Sequence, residues 1–345
     1  MILDVLVIAL GATAAAIVVY LVLIGFVLDL SVPPQPLEPS EVAPSTDPPA
    51  PRRDLRFEVD GTSLSAWLFL PEAASGPVPC IVMGHGFAGT KECGLADYAA
   101  RFRQAGFAVL VFDYRYFGES EGEPRQLYWI PDQLADWAAA VAFARGLPEV
   151  DPEQIALWGS SASGGHVLVT AAADARIACV SAQCPSLDPR TDGQRLRKSV
   201  GTGPLLRLVM HGQRDMLRSR FGLSAHKVPV VGPPGTVAFL ATPDAYAGYS
   251  ALAPKGFVNE VCARTVLRAT GYRPIAHAKE VRCPVLLQVC EQDQLVSPES
   301  AEQTAAILGD KAELARYPIG HFDIYRGEPF EAAVRDQIAF FEKHL

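Results

Sequence analysis

The chain opens on an unbroken apolar stretch. No charged residue occurs between Val5 and Leu28, a run long enough to cross a bilayer of about 30 Å as a helix. It lacks the Lys/Arg start of a secretory leader, carries Asp4 instead, and exceeds the length of a leader's apolar core. Residues 1–30 are therefore predicted to form a single-pass transmembrane helix, with the membrane as a partner. Proline then dominates residues 31–52 (Pro33, Pro34, Pro36, Pro39, Pro44, Pro48, Pro49, Pro51), which predicts a semi-rigid, extended linker. Arg52 and Arg53 follow the run and no Lys or Arg precedes it. That asymmetry places the C-terminal region on the cytoplasmic side.

From residue 53 to 345 the pattern becomes an alternation of short apolar runs and amphipathic stretches. Strands are predicted at Leu55–Val59, Ala66–Leu70, Cys80–Met83, Ala108–Asp113, Ile155–Trp158, Ile177–Ser181, Val285–Cys290 and Glu313–Tyr317. Helices are predicted at Leu95–Ala105, Gln133–Arg145, Ser163–Asp174, Glu299–Leu308 and Phe330–His344. The first strands lack intervening helices and predict an antiparallel start. The others alternate as βαβ units, giving a mostly parallel eight-stranded sheet with helices on both faces. Runs such as Val109–Phe112 are apolar throughout, as strands covered on both faces should be. Residues 187–279 break the rhythm. They are too long for a crossover and carry helix-like pieces (Gln194–His211, Asp244–Leu252, Val258–Thr270) between Pro/Gly turns, which predicts an inserted helical lid.

One strand end carries chemistry. Ile155–Trp158 runs into Gly159–Ser–Ser–Ala–Ser–Gly–Gly165 and then an Ala-rich helix. Small residues at a strand-to-helix turn suit a nucleophile elbow, whose strained serine tolerates no bulky neighbour. The usual spacing, G-x-S-x-G, selects Ser161, with Ser163 in place of the second glycine; Ser160 and Ser163 fit the spacing less well. A serine hydroxyl needs a base, a carboxylate to orient it, and donors for the developing oxyanion. In elbow enzymes the acid and then the base follow the serine. Asp293 lies just past the strand Val285–Cys290, with Glu291 as the alternative acid. His321 lies on the loop between the last strand and the last helix. The remaining candidates fit worse: His166 falls inside a helix, His211 and His226 inside the lid, and His344 at the terminus. Gly84–His85–Gly86–Phe87–Ala88–Gly89 follows the third strand. It offers the Phe87 N–H as one oxyanion donor beside the N–H of Ala162, and His85 reads as a structural residue of that loop.

Composition narrows the partners. The 345 residues carry a formal net charge of −8 with no basic run, which argues against nucleic acid. The seven cysteines are scattered without a C-x-x-C pair. They read as small buried residues in a reducing compartment, with no metal site or disulfide framework. No metal or organic cofactor is implied.

Four further stretches resemble a known family. His85–Gly–Phe–Ala–Gly–Thr–Lys91, Phe112–Asp–Tyr–Arg–Tyr–Phe–Gly–Glu–Ser120, Gly122–Glu–Pro–Arg–Gln126 and Trp158–Gly–Ser–Ser–Ala–Ser–Gly–Gly–His166 resemble the α/β-hydrolase superfamily. Within it they are similar to X-Pro dipeptidyl-peptidase-like hydrolases and to polyketide transferases and thiohydrolases. The resemblance implies an α/β-hydrolase fold with nucleophile, acid and base at Ser161, Asp293 and His321. A Ser in the penultimate elbow position is usual in that subgroup. The implied activity is hydrolysis of small-molecule carboxylic esters or thioesters, with acyl transfer or peptide hydrolysis as alternatives on the same triad. A tethered, non-enzymatic binding protein is a further class, against which the intact constellation argues. Arg115 and Arg125 lie in loop-forming segments and read as structural.

Overall fold

The computed structural model of the protein describes residues 2–33, 35–37, 50–72, 76–269 and 271–345, with backbone alone over 2–10. An eight-stranded sheet forms its centre. Its first members are β1 (Arg53–Val59), β2 (Thr62–Phe69), β3 (Val78–Gly84), β4 (Ala108–Phe112), β5 (Val150–Ser160) and β6 (Ile177–Gln183). A two-stranded ribbon, β7 (Lys227–Val228) and β8 (Val261–Cys262), stands apart, and β9 (Val285–Cys290) and β10 (Ala312–Tyr317) complete the main sheet. The order is β1-β2-β4-β3-β5-β6-β9-β10. β2 pairs antiparallel with β1 and β4, and every other neighbour is parallel. The chain reverses its direction of strand addition beside β3, so the carboxyl ends of β3 and β5 open onto one crevice.

Alternation within the strands explains their wholly apolar composition. Leu110 and Phe112 of β4, and Ile155 and Leu157 of β5, enter one buried cluster; Val109, Val111, Ala156 and Trp158 enter the other. Side chains on successive residues face opposite ways, so a strand sandwiched between helices has no polar side. Helices α3 (Ile130–Arg145) and α4 (Ala162–Ala173) cover the first face through Trp137 and Val167. Helices α2 (Leu95–Gln104) and α10 (Gly327–His344) cover the second through Tyr98, Phe102 and Phe341. Each large side chain sequestered this way contributes roughly 1.5–3 kcal/mol. All seven cysteines are free and buried.

Between β6 and β9 lies an insertion built from α5 (Pro189–Val200), α6 (Thr202–Arg220), α7 (Ala245–Leu252) and the short α8 (Val266–Ala269). Helix α9 (Pro298–Leu308) follows β9. The stretch expected as one helix over Gln194–His211 is divided, because Gly201 adopts φ 83° and ends α5. The stretch expected as a helix over Val258–Thr270 is strand β8, a 3₁₀ turn and α8.

The N-terminal run departs from the sequence expectation. Among the described residues no helix is long and apolar enough to cross a membrane, which overturns the predicted transmembrane helix, the membrane partner and the single-pass location with a cytoplasmic catalytic domain. Helix α1 (Ile2–Val22) stops short of Leu28, and Leu23–Val27 forms a π-helical turn. That turn packs in part on the insertion, while Leu23 and Val27 stay exposed. Ile24 is buried, Gly25 faces Leu217, and Phe26 meets Phe221 edge-on at 5.7 Å. Arg214 of α6 donates to the carbonyls of Ile24 and Leu28, each at 2.8 Å. The proline-rich linker expected over 31–52 lies largely outside the described residues. Its described part touches the insertion, where Asn259 Nδ2 donates to the Gln35 carbonyl at 2.7 Å.

Candidate active site

Ser161 occupies the turn between β5 and α4 at φ 56°, ψ −119°. A non-glycine residue there is strained by roughly 1–3 kcal/mol and persists because its surroundings over-determine it. Its N–H donates to the Gln183 carbonyl at 2.9 Å, and its own carbonyl accepts the Ser186 N–H at 2.9 Å. Gly159 permits the turn, since a Cβ there would lie 2.4 Å from the Ser163 carbonyl oxygen. The neighbouring serines are engaged elsewhere. Ser160 Oγ is buried against the Tyr325 hydroxyl. Ser163 Oγ bonds the Tyr114 hydroxyl at 2.6 Å, and Trp137 Nε1 donates to that same hydroxyl at 2.6 Å. The odd serine of the elbow thus anchors α4 to the loop after β4.

Asp293 and His321 meet across two loops at the carboxyl ends of β9 and β10. His321 Nδ1 lies 2.5 Å from Asp293 Oδ2, with both residues buried. Asp293 Oδ1 accepts the N–H groups of Leu295 at 2.7 Å and Val296 at 2.9 Å. Burial opposes protonation of His321, but the Asp293 carboxylate, with Cys184 beside it, outweighs burial and holds the imidazole well above its ordinary value. Glu291, the alternative acid, is exposed. The other histidines are placed differently. His166 is buried between Tyr272 and Gln133, and burial pushes it down to about 3. His211 and His226 bond each other at 2.8 Å within the insertion, and His344 contacts Glu313.

The loop after β3 lies directly over the elbow. A Cβ at Gly86 would come within 3.2 Å of Ser161 Cβ, so glycine allows the backbone to approach. The next residue, Phe87, has its carbonyl held by the Tyr249 hydroxyl at 3.0 Å. Ala162 opens α4, where the first N–H groups lack intrahelical partners. Ser161, Ala162, Phe87 and His321 all line one cavity of about 840 Å³. Its walls are largely apolar, with Leu205 and Leu208 of α6 and Leu252 of α7 contributed by the insertion. The arrangement brings a hydroxyl on a strained turn, a carboxylate-bound imidazole, and the residues Phe87 and Ala162 around one cavity.

Cys184, Asp293 and His321 each place a ligating atom within 4.8 Å of the others. Both Asp293 oxygens are already engaged in hydrogen bonds, so the chemistry of this donor set is that of proton holding.

The profile of the X-Pro dipeptidyl-peptidase (S15) family matches residues 60–207. The chain is 43% identical over 294 residues to the quorum-quenching protein AidA of Acinetobacter baumannii, covering 84% of this chain and 94% of that protein. It is 30% identical to a polyketide transferase of Stachybotrys chlorohalonatus, covering 85% of this chain and 98% of that one. The crystal structure of the α/β hydrolase GrgF from Penicillium superposes with a TM-score of 0.70 at 26% identity, over 85% of this chain and 99% of the other. This chain belongs to the α/β-hydrolase superfamily. Within it, the hydrolase lies with the X-Pro dipeptidyl-peptidase-like enzymes and the polyketide transferases and thiohydrolases, and it is an enzyme of that class.

Two residues around the hydrolase's candidate site had no signal in the sequence. Asp192 of α5 lines the cavity, takes the Ser186 hydroxyl at 2.6 Å, and accepts the Ser297 N–H at 2.9 Å. Burial pushes its carboxyl up to about 7, against those hydrogen bonds. It ties the insertion to the loop that carries Asp293. Tyr249, which holds the Phe87 carbonyl, lies 162 positions away from it. Contacts at such separations leave no periodicity or spacing to read.

Proposed function

We propose that the protein is a serine hydrolase of carboxylic esters or thioesters, working through an acyl-enzyme on Ser161. The observation that carries this reading is the strained Ser161 facing the same cavity as His321, whose far nitrogen is bound to buried Asp293. His321 Nε2 takes the hydroxyl proton as Ser161 Oγ bonds to the substrate carbonyl carbon. The Phe87 and Ala162 N–H groups receive the oxyanion. His321 then passes its proton to the leaving oxygen or sulfur as that bond breaks. Water, deprotonated by His321, releases the acyl group as a carboxylic acid and restores Ser161.

We further propose a catalytic domain over 53–345 with a lid over about 187–279, because the insertion supplies much of the apolar wall. Such a wall accommodates an acyl chain. It also shields an acyl-enzyme from water, which favours transfer to an alcohol or amine as the second reading. Peptide hydrolysis of the X-Pro type would require an acidic partner for the substrate's terminal amine. Among the described residues lining the cavity the carboxylate is Asp192, already engaged with Ser186 and Ser297.

Ser161→Ala is expected to abolish turnover of short p-nitrophenyl esters and labelling by a fluorophosphonate, with the thermal transition retained. Labelling of the variant would remove Ser161 from the mechanism. Product analysis with added alcohols and amines separates hydrolysis from transfer.

A further inference from the structure

The apolar cavity has a basic mouth on an acidic protein. The chain carries 38 Asp and Glu against 30 Lys and Arg. Yet Arg197 and Lys198 of α5 and Arg268 of α8 all line the site. These three side chains are exposed, as rim residues must be. The lining carboxylate that could balance them, Asp192, is buried and bonded to Ser186 and Ser297, and burial raises it toward neutrality. Among the described residues no carboxylate forms a salt bridge with Arg197, Lys198 or Arg268; Arg268 instead rests over the Trp129 ring at 4.8 Å. Elsewhere on α5 the pairing is different, because Arg195 is bound by Glu299 at 2.9 Å. Charges of one sign around a low-dielectric cleft focus the field there and attract an opposite charge.

We infer that this mouth binds a negatively charged group, carboxylate or phosphate, carried by the substrate at a distance from its scissile carbonyl. Arg197, Lys198 and Arg268 are its specificity-determining residues, and the apolar floor takes the acyl part. Guanidinium groups pair with both anions through parallel N–H donors, and Lys198 adds a point charge. The inference rests on the serine-hydrolase reading for its reaction and on the rim charges alone for its selectivity.

The test uses the full chain and matched substrate pairs. p-Nitrophenyl hemisuccinate against p-nitrophenyl butyrate reads a carboxylate on the acyl part. Butyryl-coenzyme A against butyryl-N-acetylcysteamine reads phosphate on the leaving group. In at least one pair the anionic member is expected to win in kcat/KM by about tenfold at low salt. That ratio should shrink in 1 M NaCl, where the screening length is about 3 Å. In an Arg197→Gln/Lys198→Gln/Arg268→Gln variant it should fall toward one, while Lys279→Gln, an exposed site away from the cavity, leaves it unmoved. Salt titration of the unaltered protein keeps the test intact if the triple variant does not fold. Calorimetric titration with coenzyme A, succinate and N-acetylcysteamine reads the same contact without turnover, with saltable binding expected for an anion. Ratios near one in both pairs, or ratios indifferent to salt, overturn the inference. Neutral-ester turnover abolished by Ser161→Ala would leave the hydrolase reading standing in that event.

Discussion

Replacing Asp293 with Asn keeps the shape of the site and changes one proton. Asp293 is 1% exposed, so water cannot substitute for its charge. Its Oδ1 is claimed by the N–H groups of Leu295 and Val296, which require an oxygen. The Asn amide group must therefore face His321 Nδ1, where Oδ2 now stands 2.5 Å away. A donor there forces Nδ1 to accept and moves the imidazole proton to Nε2, the nitrogen that should take the serine proton. Loss of the carboxylate also removes the charge that stabilises the imidazolium. Tautomer reversal of this kind costs about 10⁴-fold in kcat, or about 5.4 kcal/mol of transition-state stabilisation. The assay is kcat and kcat/KM on p-nitrophenyl butyrate across pH, with thermal melting as the control for folding. In the native enzyme the base must be unprotonated, so activity rises with pH through the His321 pKa. That value is held above the ordinary 6.5, so the acid limb should be centred above 6.5. In Asp293→Asn the residual limb should move to lower pH, since the supporting charge is gone. Glu291→Gln, on an exposed residue of the same loop, should stay within about twofold. A loss under tenfold in Asp293→Asn, or a larger loss in Glu291→Gln, would refute the assignment of the acid.

Two other expectations concern how the site and its surroundings are held. Ser163→Ala removes the hydrogen bond to Tyr114 while Trp137 keeps donating to that hydroxyl. It should cost about 1–2 kcal/mol in urea unfolding at an unchanged slope, and an unchanged midpoint would mean the bond contributes nothing net. Arg214→Gln removes the two donations that tie Ile24 and Leu28 to α6. Amide exchange across Leu23–Leu28 should accelerate by about tenfold, and exchange equal to the native rate would show that apolar packing alone holds the turn.

Much of the candidate site was legible in the chain because its constraints are local. The elbow needs tiny residues within a few positions, and the strand before it is apolar because both its faces are covered. Asp293 and His321 each sit just past a predicted strand, where a parallel sheet gathers its loops. Element ends were harder to place. Gly201 divides a stretch whose apolar spacing otherwise continues, and nothing in the spacing near Val261 announces a two-residue ribbon strand.

What the sequence determined by itself is the order of elements, the strand ends that carry Ser161, Asp293 and His321, and the family. These follow from periodicity, turn sterics and motif spacing, which act over a few residues. Tertiary structure decided which carboxylate meets His321, since Asp293 and Glu291 differ by two positions yet one is buried against that imidazole and the other faces water. It also gathered Arg197, Lys198 and Arg268 around one cavity, although α5 and α8 are far apart in the chain. The same holds for the N-terminal apolar run. Its composition records that the segment shuns water, but residues 11–20 stay exposed, and the burial of Ile24 and Gly25 depends on helix α6, nearly two hundred residues away. There, Arg214 donates to the carbonyls of Ile24 and Leu28 and Phe221 meets Phe26, so the insertion holds part of a turn that composition alone had assigned to a bilayer.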